Sequence, residues 1–298
     1  MKLAVLTGYY GRNFAGSQFQ PNLRTVEGEF IRAGISCGAW GSAEEAKFRT
    51  AGRTDRGVSA RQQLVSVETA FPERFSAAMN FHLPSDIWCL GCTEVPGDFF
   101  PRYAAGVRTY RYFYSYPLDL AVMNSAAKDF CGTHDFSGFA KMEAGRDPVR
   151  TVISARVFAG ADGLPVFEVS AKSFLWNMVR GMAGMLEAVG LHLAPADAAA
   201  NQLASHVWRV HPASASGLVF WGAETGLDFV PMRQRREVKR MLFSEAFEAR
   251  AVMRTAEALM GEGVDAYLRE AAERGYGSFC IRESRDTRYY DEERQESI

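Results

Sequence analysis

The chain carries almost no net charge: 34 lysines and arginines stand against 35 aspartates and glutamates, a formal −1 at pH 7. That balance excludes a protein coated in positive potential. Any polyanion it binds must meet a local basic groove offset by acid elsewhere. Cysteine is scarce: Cys37, Cys89, Cys92, Cys131 and Cys280 are an odd number without a disulfide framework. The five histidines, His82, His134, His192, His206 and His211, show no metal-ligand spacing. Cys89 and Cys92 form a CxxC, but a zinc site needs a second ligand pair. A redox pair opens a helix, whereas Ile87, Trp88 and Leu90 make this stretch read as a buried strand. The expectation is therefore no metal. No long apolar run and no leader-like stretch precedes the first motif, so the expected location is the cytoplasm, without a membrane. A hydrophobic content of 47% supports one large core or two smaller ones.

What is present begins with Gly52-Arg53-Thr54-Asp55-Arg56-Gly57-Val58-Ser59-Ala60. One carboxylate stands between two arginines in a Gly-bounded turn, directly before an apolar strand at Leu64–Glu68. Glycines permit backbone conformations closed to other residues and allow close approach of another segment. Flanking guanidinium groups keep a carboxylate ionised, and an aimed carboxylate can act as a nucleophile. The plain alternative is an Asp that caps a turn. Arg12, Arg24, Arg53, Arg56 and Arg61 cluster in or beside the motif-bearing loops, as phosphate contacts or as ordinary solvated arginines.

Strands and helices alternate along the chain. Lys2–Thr7 reads as a strand and Val26–Ala33 as helix. From Arg108 to Tyr116 the tyrosines at 110, 112, 114 and 116 recur with the two-residue period of a pleated strand and share one face. Val166–Ala171 is another strand. Phe174–Val189 reads as a helix with an apolar stripe of Leu175, Met178, Met182, Met185, Leu186 and Val189, and Arg180 lies off that stripe. Beyond Phe220 comes the basic run 233–240, then a helical pattern, then a charged tail at Asp291–Ile298. Residues 225–298 read as an appended, helical extension, either an RNA-contacting arm or a capping helix with a solvated face.

The turn at Asp55 resembles the signature Gly-Arg-Thr-Asp-x-Gly-Val of the TruA family of tRNA pseudouridine synthases. Further blocks resemble the family in the same order: 8–16, 20–22 and 24–29, then 83–87, 102–105, 110–112, 132–136, 150–152 and 173–180, and finally Pro212-Ala213 with Gly217-Leu218. The resemblance covers residues 1 to 224. It implies an α+β fold of two subdomains, 1–105 and 106–224, whose antiparallel sheets join into one continuous mixed sheet. Helices pack outside it, with the active site in the cleft between the subdomains. It implies that Asp55 is the catalytic residue, attacking the ribose or assisting its conversion to a glycal. Arg180 pairs with that aspartate in the family pattern. Tyr110 stacks on the target base and helps remove the C5 proton; periodicity alone does not separate it from Tyr112. A base taken from its helix costs a few kcal/mol, and stacking on an aromatic ring returns about 1–3 kcal/mol. Arg53, Arg56, Arg12 and Arg24 are the candidate substrate contacts. By the same resemblance the substrate is tRNA, at positions 38 to 40 of the anticodon stem-loop. The protein is a homodimer, with no metal or small-molecule cofactor.

Two departures from the family pattern stand out. Asp55-Arg56-Gly57-Val58-Ser59-Ala60 is closer to the archaeal and eukaryotic branch than to the bacterial one, and Ser17 replaces a common tryptophan. Neither is expected to touch the chemistry. The alternative from another class is a non-catalytic tRNA-binding protein or chaperone of the same fold. Such a protein would tolerate loss of Asp55, Tyr110 or Arg180, and all three are present.

Overall fold

The computed structural model describes residues 1–261, positions 263, 266 and 270, and the backbone of 281–283. The tail expected at Asp291–Ile298 lies outside the described residues. In chain order the strands are β1 (Lys2–Tyr9), β2 (Arg49–Thr50), β3 (Ser59–Glu68), β4 (Ile87–Val95), β5 (Arg108–Phe113), β6 (Gly132–Asp135), β7 (Val149–Ala159), β8 (Pro165–Ala171), β9 (Trp208–Val210), β10 (Leu218–Ala223), β11 (Val230–Pro231) and β12 (Ile281–Glu283). The helices are α1 (Val26–Ser36), α2 (Ala43–Ala46), α3 (Pro72–His82), α4 (Pro101–Ala104), α5 (Leu120–Lys128), α6 (Met178–Gly190), α7 (Ala198–Ser205) and α8 (Arg236–Met260). The fold is mixed α+β, as expected. Two compact units make it up: Met1–Arg111 with Ala215–Glu262, and Tyr112–Ser214 with the described positions beyond 262.

In the first unit the strand order is β11-β4-β1-β3-β10-β5, with β2 pairing β3 outside that path. β1 runs antiparallel to both neighbours, Leu3 opposite Val67 on one side and Glu94 on the other. β10 lies parallel to β3, Phe220 opposite Ala60, so the sheet is mixed. β1 is largely buried on both faces, which explains why it reads as a near-continuous apolar run. One core joins Val5, Tyr9, Val65 and Phe220 of the sheet to Phe30 of α1 and Phe75 and Met79 of α3. A smaller one gathers Ala4, Ala51, Leu64, Val95 and Ala105. Thr25 caps α1 by accepting from the Gly28 N–H, with Glu27 and Glu29 in the first turn where the helix dipole favours anions. The segment after Phe220 does not stand off as a separate element at once: β11 adds to the edge of β4, Val230 opposite Cys92, before α8 begins. Cys89 is fully buried on β4, as the CxxC reading anticipates, and burial pushes its thiol pKa up.

In the second unit β7 lies between β6 and β8, antiparallel to both. α6 is apolar nearly all round and forms the unit's core helix. Gly181 lets the 137–139 turn approach it, since a Cβ there would fall 2.2 Å from the Phe139 carbonyl oxygen. Two boundaries differ from the sequence expectation. The strand expected to reach Tyr116 ends at Phe113, because Pro117 lacks a ladder N–H and restricts the residue before it, and the chain bends at Ser115 and Tyr116. The helix expected from Phe174 starts at Met178, because Asn177 holds φ 63°, a left-handed conformation that no α-helix can contain. Among the described residues no helix is long and apolar enough to cross a membrane.

Candidate active site

The Asp55 turn is built from two segments of the first unit. Gly57 takes φ 81°, where an L side chain is strained, and the turn closes through the Val58 N–H to the Asp55 carbonyl at 3.1 Å. The loop after β1 then clasps this turn. Gly11 sits so close beneath it that a Cβ would lie 2.2 Å from the Val58 carbonyl oxygen, and the Gly11 N–H donates to Ser59 Oγ at 2.9 Å. The Gly57 N–H reaches the Phe14 carbonyl at 3.4 Å. On the other side of Asp55, Ser17 Oγ accepts from the Thr54 N–H at 2.8 Å, and the Ser17 N–H donates to the Thr54 carbonyl at 3.0 Å. The Thr54 and Tyr9 hydroxyls are hydrogen-bonded at 2.8 Å, and both residues are buried. Ser17 therefore touches the residue that precedes Asp55 in the chain. The contacts that join Tyr9, Thr54 and Ser17 escape a motif reading because the residues they link lie 37 to 45 positions apart.

Asp55 itself is half-buried. Tyr110, on β5, is also half-buried, its ring edge-on to Phe220 with centroids 5.0 Å apart. Burial first, then the nearby Tyr9 phenol and the Asp55 carboxylate, pushes the Tyr110 phenol pKa up; Arg108 opposes this. The Tyr9 phenol is pushed up to about 12, again chiefly by burial. The structure thus brings Asp55 and Tyr110 within electrostatic reach, both phenols neutral at physiological pH. Tyr112 is buried and pairs with the Tyr114 ring at 4.8 Å in the second unit.

The four candidate arginine contacts fall into two groups. Arg53 and Arg56 are exposed beside Asp55, and among the described residues neither has an ion pair. Arg24 is instead engaged internally, with Asp86 at 2.7 and 2.9 Å and with Glu29 at 2.9 Å. Arg12 is exposed but bridges to Glu245 of α8 at 2.6 Å. Arg180 occupies the first turn of α6 in the second unit. Its Nε donates to the Ala213 carbonyl at 2.6 Å and its Nη1 to Asn177 Oδ1 at 3.2 Å, while its own carbonyl accepts from the Ala213 N–H at 2.9 Å. The Pro212-Ala213 block thus has a local task, orienting the Arg180 guanidinium. Among the described residues no cluster of three or more His, Cys, Asp or Glu is placed to hold a metal ion.

A family profile described as tRNA pseudouridine synthase matches residues 126–224. The tRNA pseudouridine synthase A of Methanocorpusculum labreanum is 60% identical over 278 residues, covering 93% of this chain and 99% of that protein. That of Methanoculleus marisnigri is 49% identical, covering 78% and 86%. That of Thermococcus kodakarensis is 44% identical, covering 75% and 85%. The fold and these relatives define the class, an isomerase. The chain belongs to the tRNA pseudouridine synthase family.

Proposed function

We propose that this protein converts uridine to pseudouridine in tRNA, with Asp55 as the catalytic carboxylate acting on a flipped-out nucleotide. The observation that carries the reading is the presentation of Asp55: a half-buried carboxylate on a turn hydrogen-bonded from both sides, within electrostatic reach of the Tyr110 phenol. A turn that merely capped itself would not need a second loop to fix the backbone on each flank. In the reaction the N1–C1′ bond breaks, the uracil turns, C5 bonds to C1′, the C5 proton leaves to solvent, and the freed N1 takes up a proton. Asp55 serves either as the nucleophile at C1′ or as the base that takes the ribose proton on the way to a glycal. Tyr110 offers an aromatic face to the base, and Arg180 is the guanidinium assigned to the Asp55 carboxylate by the family pattern. Arg53 and Arg56 have the exposure that phosphate contacts need.

The target we infer is the anticodon stem-loop, positions 38 to 40, and the working form a cytoplasmic homodimer; both rest on the family resemblance. The test is tritium release from tRNA labelled at uracil C5, comparing wild type with Asp55→Ala, followed by mapping of the product position. Release by wild type and none by the variant supports the assignment. No release from any tRNA, with binding intact, turns the reading to a tRNA-binding protein.

A further inference from the structure

We propose that Ser17 is a positioning residue for Asp55, acting through the peptide groups on both sides of Thr54. The inference rests on Asp55 being the catalytic carboxylate. Ser17 makes two contacts to the Thr54 carbonyl, from its N–H at 3.0 Å and its Oγ at 3.4 Å, and the same Oγ accepts from the Thr54 N–H at 2.8 Å. The Thr54 carbonyl belongs to the peptide bond that leads into Asp55. Fixing the peptide planes before and after Thr54 removes the backbone rotations that would swing the Asp55 Cα. Beyond Asp55 the Val58 N–H holds its carbonyl at 3.1 Å, so the carboxylate keeps little freedom besides its own side-chain torsions.

Only part of this anchor depends on the side chain. The N–H of residue 17 persists whatever the residue, but the Thr54 N–H is in a buried residue and has Ser17 Oγ as its partner. Gly16 lets the loop come close enough: it holds φ 129°, and a Cβ there would stand 3.2 Å from the Thr54 carbonyl oxygen. Thr54 is steadied on its side-chain end by the buried Tyr9 hydroxyl at 2.8 Å. Loss of the Ser17 hydroxyl leaves a buried donor unmet, which the loop relieves by shifting. A misplacement of about 1 Å in a reacting group costs on the order of 100-fold in rate.

The test measures single-turnover tritium release and tRNA Kd side by side for wild type, Ser17→Ala, Ser17→Cys, Tyr9→Phe and Asp55→Ala. The expected result for Ser17→Ala is a rate about 10- to 100-fold lower, with Kd changed by less than about threefold because phosphate contacts lie elsewhere. Tyr9→Phe loses rate in the same direction by a smaller factor. Should Ser17→Ala not fold, Ser17→Cys keeps the volume and replaces the hydroxyl with a weak thiol partner; it is expected to show the same loss of rate. A wild-type rate in a folded Ser17 variant, or a loss matched by an equal rise in Kd, overturns the proposal. If Asp55→Ala remains active, the assignment of Asp55 falls first. If Asp55→Ala is inert and the Ser17 variants turn over normally, the positioning role alone falls.

Discussion

Arg24 grips Asp86 through two hydrogen bonds of 2.7 and 2.9 Å while its guanidinium lies 4.2 Å above the Phe14 ring. Its remaining Nε–H goes to Glu29. The geometry ties the loop after β1 to the start of β4, and it commits three of the guanidinium's five N–H groups and its charge to carboxylates of the fold. Arg24→Ala leaves the buried Asp86 carboxylate without this partner and is expected to lower stability by about 1–3 kcal/mol. Arg24→Lys should restore little, since an ammonium cannot reproduce the forked contact. Urea midpoints report the first effect. In a salt titration of tRNA binding the slope should stay at its wild-type value for both variants, and a slope reduced by about one charge at unchanged stability would assign Arg24 to phosphate instead.

Arg235 lies within the basic run 233–240 that the sequence offers equally to RNA or to capping. Its Nη1 donates to the Leu83 carbonyl at 2.8 Å and the Phe81 carbonyl at 3.3 Å, at the C-terminus of α3. A cation there satisfies the terminal carbonyls and complements the helix dipole. Arg235→Ala should therefore cost about 1 kcal/mol of stability and leave the salt dependence of tRNA binding untouched. A triple replacement of the exposed Arg236, Lys239 and Arg240 is the contrasting experiment. If that replacement also leaves the slope unchanged, the RNA-arm reading of α8 fails.

What was legible in the sequence is local, and most of what was not is long-range. The Asp55 turn could be found because Gly52, Gly57 and the following apolar strand lie within a dozen residues. Tyr110 could be placed on a strand because alternation is a nearest-neighbour signal. The early end of β5 and the late start of α6 were misread although their causes, Pro117 and Asn177, are local, because an apolar period runs on past the residue that stops an element. By contrast, Arg12, Arg24, Arg53, Arg56 and Arg235 look alike in a sequence. They are told apart only by partners such as Asp86, 62 residues from Arg24, and Glu245, 233 residues from Arg12. Ser17 was read as a neutral departure for the same reason, since its partner lies 37 residues downstream.

Glu245 of α8 holds Arg12 at 2.6 Å on the surface beside the Asp55 turn. An exposed pair of this kind contributes little to stability, so its effect is expected in substrate binding. Glu245→Gln releases the Arg12 guanidinium and removes a negative charge that repels RNA. If Arg12 is a phosphate contact, the variant binds tRNA more tightly, and the slope of log Kd against log salt steepens by about one charge. Arg12→Ala combined with Glu245→Gln should abolish that gain. An unchanged slope in Glu245→Gln would remove Arg12 from the substrate contacts.

The Tyr9 phenol gives the fold an alkaline limit whose sign follows from its environment. Its pKa rises from 10.0 in the unfolded chain to about 12 in the fold, chiefly because burial disfavours the phenolate. Below pH 10 both states hold the proton and this group adds no pH dependence. Between pH 10 and about 12 the unfolded chain sheds the proton while the fold retains it, so rising pH favours unfolding. The slope approaches about 1.4 kcal/mol per pH unit, on the order of 3 kcal/mol across the window. Tyr110, also raised by burial from the same starting value of 10.0, begins to contribute at the same pH and steepens the fall. Tyr9→Phe should start lower at pH 8, having lost the bond to Thr54, yet decline less steeply from pH 10 to 12. Urea midpoints collected across that range check this, and parallel curves for the two proteins would show that Tyr9 is not the group that sets the limit.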